Sequence, residues 1–317
     1  MTGATHTMAH RALTALLLAC ILVTLGLAVE RLFMAPPKDA GSPPGHGTTN
    51  SANAANSKRV ATLATTLEVE GTVEHRTPGG SWRPLGIGET VGTDNEVRTG
   101  PSSRARLQLG SQVTVELADD TGINVAQLSE TLSRVLLQDG RVVSEVRAAE
   151  GFRFRVQVQG NNSQAETSAG RFGVLRRSST PAAFAAEQGT VTVTGAGRSV
   201  TLQQGEQTFV ADNDAPSAPT KLPSSLLLKL GRPPPSRLRA RQVQVTGETS
   251  PGAVVTVGTT VVAPDELGQF KSSVALVDGP NEIRVQVEDV AGRKQTAKIP
   301  NVLVDSSPPH VTGKVVW

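Results

Sequence analysis

From residue 67 onward the apolar side chains fall on every second position, as in Leu67-x-Val69-x-Gly71-x-Val73, Val113-x-Val115-x-Leu117, Phe152-x-Phe154-x-Val156-x-Val158 and Val191-x-Val193. Successive side chains of an extended chain point to opposite faces. A period of two therefore gathers the apolar groups on one sheet face and the polar groups on the other. The runs are separated by Pro78-Gly79-Gly80, Asp119-Asp120-Thr121-Gly122, Asp139-Gly140 and Gly160-Asn161-Asn162, residues that tolerate the positive φ of tight turns. Val125 to Leu137 is the most helix-like stretch, but its apolar residues also fit strand pairs around Asp139-Gly140, and it reads mainly as sheet. The expected fold class is all-β.

Composition says how such sheets must be filled. Aromatic residues make up 3% of the 317, with no Tyr, so the cores rest on Val, Leu, Ile and Ala. With 38% hydrophobic content the chain is long enough for two modest cores and their linkers. Its net charge is +3, with basic residues interleaved among acidic ones instead of forming a stripe, which speaks against a nucleic-acid partner. Cys20 is the single cysteine, so neither an intramolecular disulfide nor a thiol metal cluster is expected.

Ahead of the alternating region, Ala12 to Val29 carries no charge and is extended by Leu32-Phe33-Met34. A helix of about 20 apolar residues crosses a bilayer's hydrocarbon layer. The expected organisation is a cytoplasmic N-terminus over 1–11, a transmembrane signal anchor over 12–34 and a disordered tether over 35–58. The tether is rich in Pro, Gly, Ser, Thr and Asn and cannot bury enough surface to offset its ordering entropy. A cleaved signal peptide is the alternative, disfavoured by the length of the run and the lack of a small-x-small cleavage site. Leu17-Leu18-Ala19-Cys20 also looks like a lipoprotein processing box, although the apolar Ile21 to Val29 after it is unlike a polar lipoprotein tether.

Trp82-Arg83-Pro84-Leu85, Gly88, Val97-Arg98-Thr99-Gly100 and Ser103 to Gly110 together resemble the core signature of the FecR family, a bacterial periplasmic β-domain. The resemblance spans about 67–210. It continues through Leu137-Gln138-Asp139-Gly140-Arg141-Val142, Glu187 to Val193 and Leu202-Gln203-Gln204-Gly205-Glu206. It departs at Glu166 to Phe172, where the family has a Gly-Thr pair before its Phe-x-Val strand. It implies an antiparallel, β-helix-like domain, placed here at 59–212, on the periplasmic side of the inner membrane. Family members that regulate iron uptake carry a cytoplasmic anti-sigma domain before the membrane helix. The eleven residues ahead of the span here are too few for one, so the functional carry-over is poorer than that of the fold.

Residues 213–240 form a Pro-rich linker in which Leu226 to Leu230 is a possible first strand of the next module. The stretch from Val243 to Gly292, with Ser250-Pro251-Gly252, Asp265-x-x-Gly268, and Asp289-x-Ala291-Gly292, is similar to bacterial immunoglobulin-like repeats. That resemblance covers about 222–305 and implies a β-sandwich over 241–305, with a C-terminal tail at 306–317.

No Gly-x-Ser-x-Gly, His-Glu-x-x-His or phosphate-loop motif occurs, and His75 is the single histidine of the FecR-like region, so no enzyme and no cofactor are expected. Asp265, Asp278, Asp289 and Asp305 lie in turns and could supply oxygen ligands to calcium. Their spacing fits no dedicated loop, and Asp in turns commonly caps its own backbone. Trp82 could stack on a sugar ring, but a Trp packed over its own hairpin fits the signature position better. Arg232, Arg237, Arg239 and Arg241 could touch anionic lipid or glycan, although pairing with nearby acids is the plainer reading. The reading that results is a single-pass, non-catalytic scaffold of the cell envelope, binding a periplasmic or envelope protein through strand edges and loops. A FecR-type signal-transduction subunit and a peptidoglycan or glycan binder are the alternatives, and no partner-binding residue stands out.

Overall fold

The computed structural model describes residues 63–178, 180–265 and 267–306, and every regular element among them is a β-strand. The transmembrane segment and tether expected over 12–58, and the tail beyond Ser306, lie outside the described residues. Among those described, no helix is long and apolar enough to cross a membrane.

The larger part contains β1 (Ala64–Glu70), β2 (Val73–Arg76), β3 (Arg83–Pro84), β4 (Thr90–Val91), β5 (Glu96–Thr99), β6 (Arg104–Leu109), β7 (Val113–Leu117), β8 (Gly122–Leu128) and β9 (Leu132–Val146). It continues through β10 (Arg153–Val158), β11 (Gln164–Thr167), β12 (Gly170–Arg176), β13 (Ala182–Gly189), β14 (Val191–Gly195), β15 (Arg198–Leu202), β16 (Glu206–Val210) and β17 (Thr220–Lys221). Pairing arranges these as two layers. One runs β4-β1-β6-β7-β9-β12-β13-β16-β17. The other runs β3-β2-β5-β8-β9-β10-β11-β14-β15, with β9 and β10 parallel and the remaining neighbours antiparallel.

β9 belongs to both layers. Its first half pairs with β8 and β10, its second half with β7 and β12, and the change falls at Gly140. There φ is +100°, and a Cβ would stand 2.5 Å from Thr121 Cα, so the bend requires glycine. The alternation expected from sequence, including the strand reading of Val125 to Leu137, holds in β8 and β9. Their inward residues Ile123, Val125, Val135 and Leu137 are fully buried. The core contains Phe154, Phe172 and Phe184, the first two with ring centroids 6.0 Å apart at 49°, a tilted contact favoured by the ring quadrupoles.

At Glu166 to Phe172, where the family pattern is broken, Ser168 and Ala169 make the bend from β11 into β12. Gly170 has φ +127°, and a Cβ there would collide with the Gln188 carbonyl oxygen. Glycine thus supplies both the backbone conformation and the close strand approach that this turn needs.

The smaller part contains β18 (Leu228–Leu230), β19 (Arg237–Leu238), β20 (Gln242–Thr249), β21 (Val254–Val257), β22 (Thr260–Val262), β23 (Gln269–Ala275), β24 (Gly279–Glu288) and β25 (Lys294–Val304). They form a three-stranded sheet, β18-β20-β23, and a five-stranded one, β19-β25-β24-β21-β22. Val245 and Phe270 from one sheet and Val255, Val285 and Val287 from the other share a single apolar core. The Pro-rich span between the two parts is packed along its course. Leu222 joins a cluster with Leu175 and Val254, Leu226 enters the smaller core, and Arg293 and Gln295 donate to the carbonyls of Pro223 and Leu226 at 2.5 and 2.6 Å.

Candidate functional site

The most developed polar and apolar constellation is the junction between the two parts. Alternation stops in β12 and β13. Gly173-Val174-Leu175 and Ala182 to Ala186 are buried on both faces, because a second body lies against the outside of their layer. Leu175, Ala183 and Ala185 from that face pack with Val254 and Val290 of the smaller part. The approach is close: a Cβ on Gly173 would stand 2.8 Å from the Val290 carbonyl oxygen, and one on Gly252 would overlap the Phe209 ring.

Beside this contact Glu288, whose side chain is 6% exposed, is held by Arg177 at 2.9 Å and Arg141 at 3.3 Å. Arg177 also donates to the carbonyls of Asp120 and Asp119, at 2.6 and 3.0 Å. Lys294 pairs with Asp119 across the junction. Burial acts to raise the Asp119 pKa, but the hydrogen bond and charge of Lys294, with Arg177 nearby, outweigh it and hold the carboxyl below its ordinary value. Asp139, at the bend of β9, goes the other way. Burial raises it despite the Ser178 N–H it accepts and the Arg177 and Arg176 guanidiniums nearby. A groove of about 680 Å³ runs along the junction, lined by apolar residues that include Phe209, Pro181, Pro223, Pro251, Val254 and Pro264.

Of the residues that sequence singled out, Asp265 lines this groove and Asp289 adjoins Glu288, while the others lie elsewhere. Trp82 is half-buried, with the guanidiniums of Arg76 and Arg98 over its ring, 4.5 and 4.1 Å from the centroid. Its face serves its own hairpin, as cation–π contacts with neighbouring strands do. His75 pairs through its backbone with Arg83 and Val97, and its Nδ1 is buried without a hydrogen-bond partner. Asp265 accepts from the backbone N–H groups of Leu267 and Gln269, Asp278 pairs with Arg241, and Asp289 binds Arg293 at 2.6 Å. Ser306, then Arg241, hold the Asp278 carboxyl below its ordinary value. Among the described residues no group of three or more His, Cys, Asp or Glu is placed to hold a metal ion.

Glu288 and Arg177 lie in no motif, and Arg141, although within the Leu137 to Val142 stretch, was not marked as a partner of either. The available signal was the loss of alternation in Phe172 to Leu175 and Ala182 to Ala186, which announces burial on both faces without saying what covers the second.

Residues 95–192, less than half of the chain, match the family described as FecR protein. They take in the strands from β5 into β14, including the bend of β9. Two crystal structures of a candidate anti-sigma factor from Parabacteroides distasonis ATCC 8503, at 1.65 and 2.50 Å resolution, are similar to this chain. Each is 17% identical with a TM-score of 0.37, over 44% of this chain and 68% of that one. No curated protein matches the chain.

Proposed function

We propose that the chain is a non-catalytic interaction protein of the bacterial cell envelope. In this reading it is held at the inner membrane by residues 12–34 and presents a FecR-like β-domain and an immunoglobulin-like sandwich to the periplasm as one body. The junction carries the reading. An apolar contact bounded by the Glu288 pairs fixes the two parts against each other, so loops of both can meet one partner with little orientational entropy left to lose. The FecR match over 95–192 favours a second reading, a subunit that passes an envelope state through the membrane helix to a separate cytoplasmic regulator. A coupled junction serves it too, since a load on one part reaches the other without slack.

The test is photo-crosslinking in living cells from three exposed apolar positions, Ile87 on the larger part and Leu267 and Val277 on the smaller. Specific capture of an envelope protein from either part is the expected result. Labelling that does not differ from that of a scrambled surface position would overturn the proposal. Loss of the captured partner together with altered transcription on deleting 1–11 would favour the signalling form.

A further inference from the structure

The outward face of the layer containing β10 carries a charge arrangement that its own fold does not balance. On several other strand pairs of the larger part an arginine stands opposite a carboxylate. Arg76 faces Glu96, Arg98 faces Glu74, and Arg106 has Glu68 on one side and Glu116 on the other. In the parallel pair of β9 and β10, Arg134 instead stands in register with Arg155. Like charges directly opposite one another destabilise a sheet. Arg155 shares the single carboxylate of Glu166 with Arg153, bonding to it through Nε at 3.0 Å while Arg153 lies 3.2 Å away. Among the described residues Arg134 has no ion pair, and its Nε is out of solvent with no hydrogen-bond partner. The second like-charged register pair, Arg284 and Lys298, is relieved by Glu282, 3.1 Å from Lys298.

Three guanidiniums against one carboxylate, with a buried donor unfilled, is a site for an oxyanion that accepts planar, paired hydrogen bonds. The surroundings say what carries it. The next row along the same face sets Gln157, Gln164, Thr194 and Ser199 in register across four strands. Strand spacing is about 4.8 Å, so these form a line of amides and hydroxyls beside the arginines. No aromatic residue lies in either row, and although half-buried Leu132 and Leu136 flank Arg134 on this face, none of the large apolar side chains exposed among the described residues is on it. A protein partner would need such a desolvated apolar centre. A polar chain bearing carboxylates does not.

We propose that this face binds a carboxylate-bearing polysaccharide lying across the strands, with a sugar carboxylate between Arg134 and Arg155 and sugar hydroxyls on the Gln and Thr row. The inference goes beyond the interaction reading above and stands or falls separately from it.

The experiment is calorimetric titration of the full chain in detergent with an oligogalacturonate, a neutral dextran oligomer, a glutamate-rich peptide and inorganic phosphate. Saturable binding of the oligogalacturonate is expected, weakened about tenfold by Arg134→Gln or Arg155→Gln, as for loss of one charge-assisted bond. Arg76→Gln should leave it unchanged. The unliganded Arg134→Gln chain should melt at the wild-type temperature or above it, because repulsion is relieved, which separates a lost ligand from a lost fold. Failure of the wild type to bind the oligogalacturonate, equal binding by the variants, or preference for the peptide or for phosphate would each overturn the proposal.

Discussion

Gly252 has φ +76° and faces the Phe209 ring, whereas Gly258, with φ +62°, has open space where a Cβ would go. Both positions strain an L-residue, but only the first also forces two packed surfaces apart. Gly252→Ala should therefore destabilise the protein by about 1–3 kcal/mol more than Gly258→Ala in urea unfolding. Equal losses would show that the junction yields freely at that point. The same pair illustrates what single residues tell in sequence. Ser250-Pro251-Gly252 was legible as a turn because positive φ is a local demand. That this glycine also meets Phe209, more than forty positions earlier in the chain, is a tertiary fact with no local trace.

β9 joins the two layers, and Asp139 sits at its bend with its carboxyl raised above the ordinary value. A group whose folded pKa is raised favours the folded state while protonated. That contribution is full below the unfolded pKa, near 3.8, and is lost as pH rises through the elevated folded one. Asp119, lowered by Lys294 and Arg177 against its burial, contributes above the unfolded value and loses that contribution as pH falls through its own depressed one. Asp139→Asn should accordingly remove a decline in melting temperature that wild type shows as pH rises from about 3.8, leaving the acid limb set by Asp119 in place. An unchanged pH profile would refute this account of the bend. At the scale of elements the sequence was informative, because half-buried strands come directly from a period of two. The register in which β9 leaves one layer for the other was not. Asp139-Gly140 reads as an ordinary hairpin turn, and only the Thr121 backbone at 2.5 Å from the missing Cβ makes it a bend within one strand.

Across the molecule, Glu288 closes the junction with its carboxylate between two arginines of the larger part. Removing its charge leaves Arg141 without a carboxylate and Arg177 with only Asp139, 3.9 Å away, and two backbone carbonyls, and breaking a buried pair typically costs about 3–5 kcal/mol. Glu288→Gln should lower the stability by roughly that amount and split a single unfolding transition into two, monitored by calorimetry. One transition at the wild-type midpoint would mean that the apolar contact alone couples the parts. The strand-rich stretches on either side of the Pro-rich span were readable from turn spacing. Their union was not, because a linker of Pro, Ser and Leu looks the same whether it hangs free or lies in a seam.

One consequence of β9 is mechanical. Its fifteen residues are stitched into one layer at the start and into the other at the end. A pull that would slide the layers past each other, or peel one away, must first tear the same strand out of two hydrogen-bonded ladders together. The larger part should therefore behave under tension as a stiff strut that fails late and all at once, while weaker seams around it give way first.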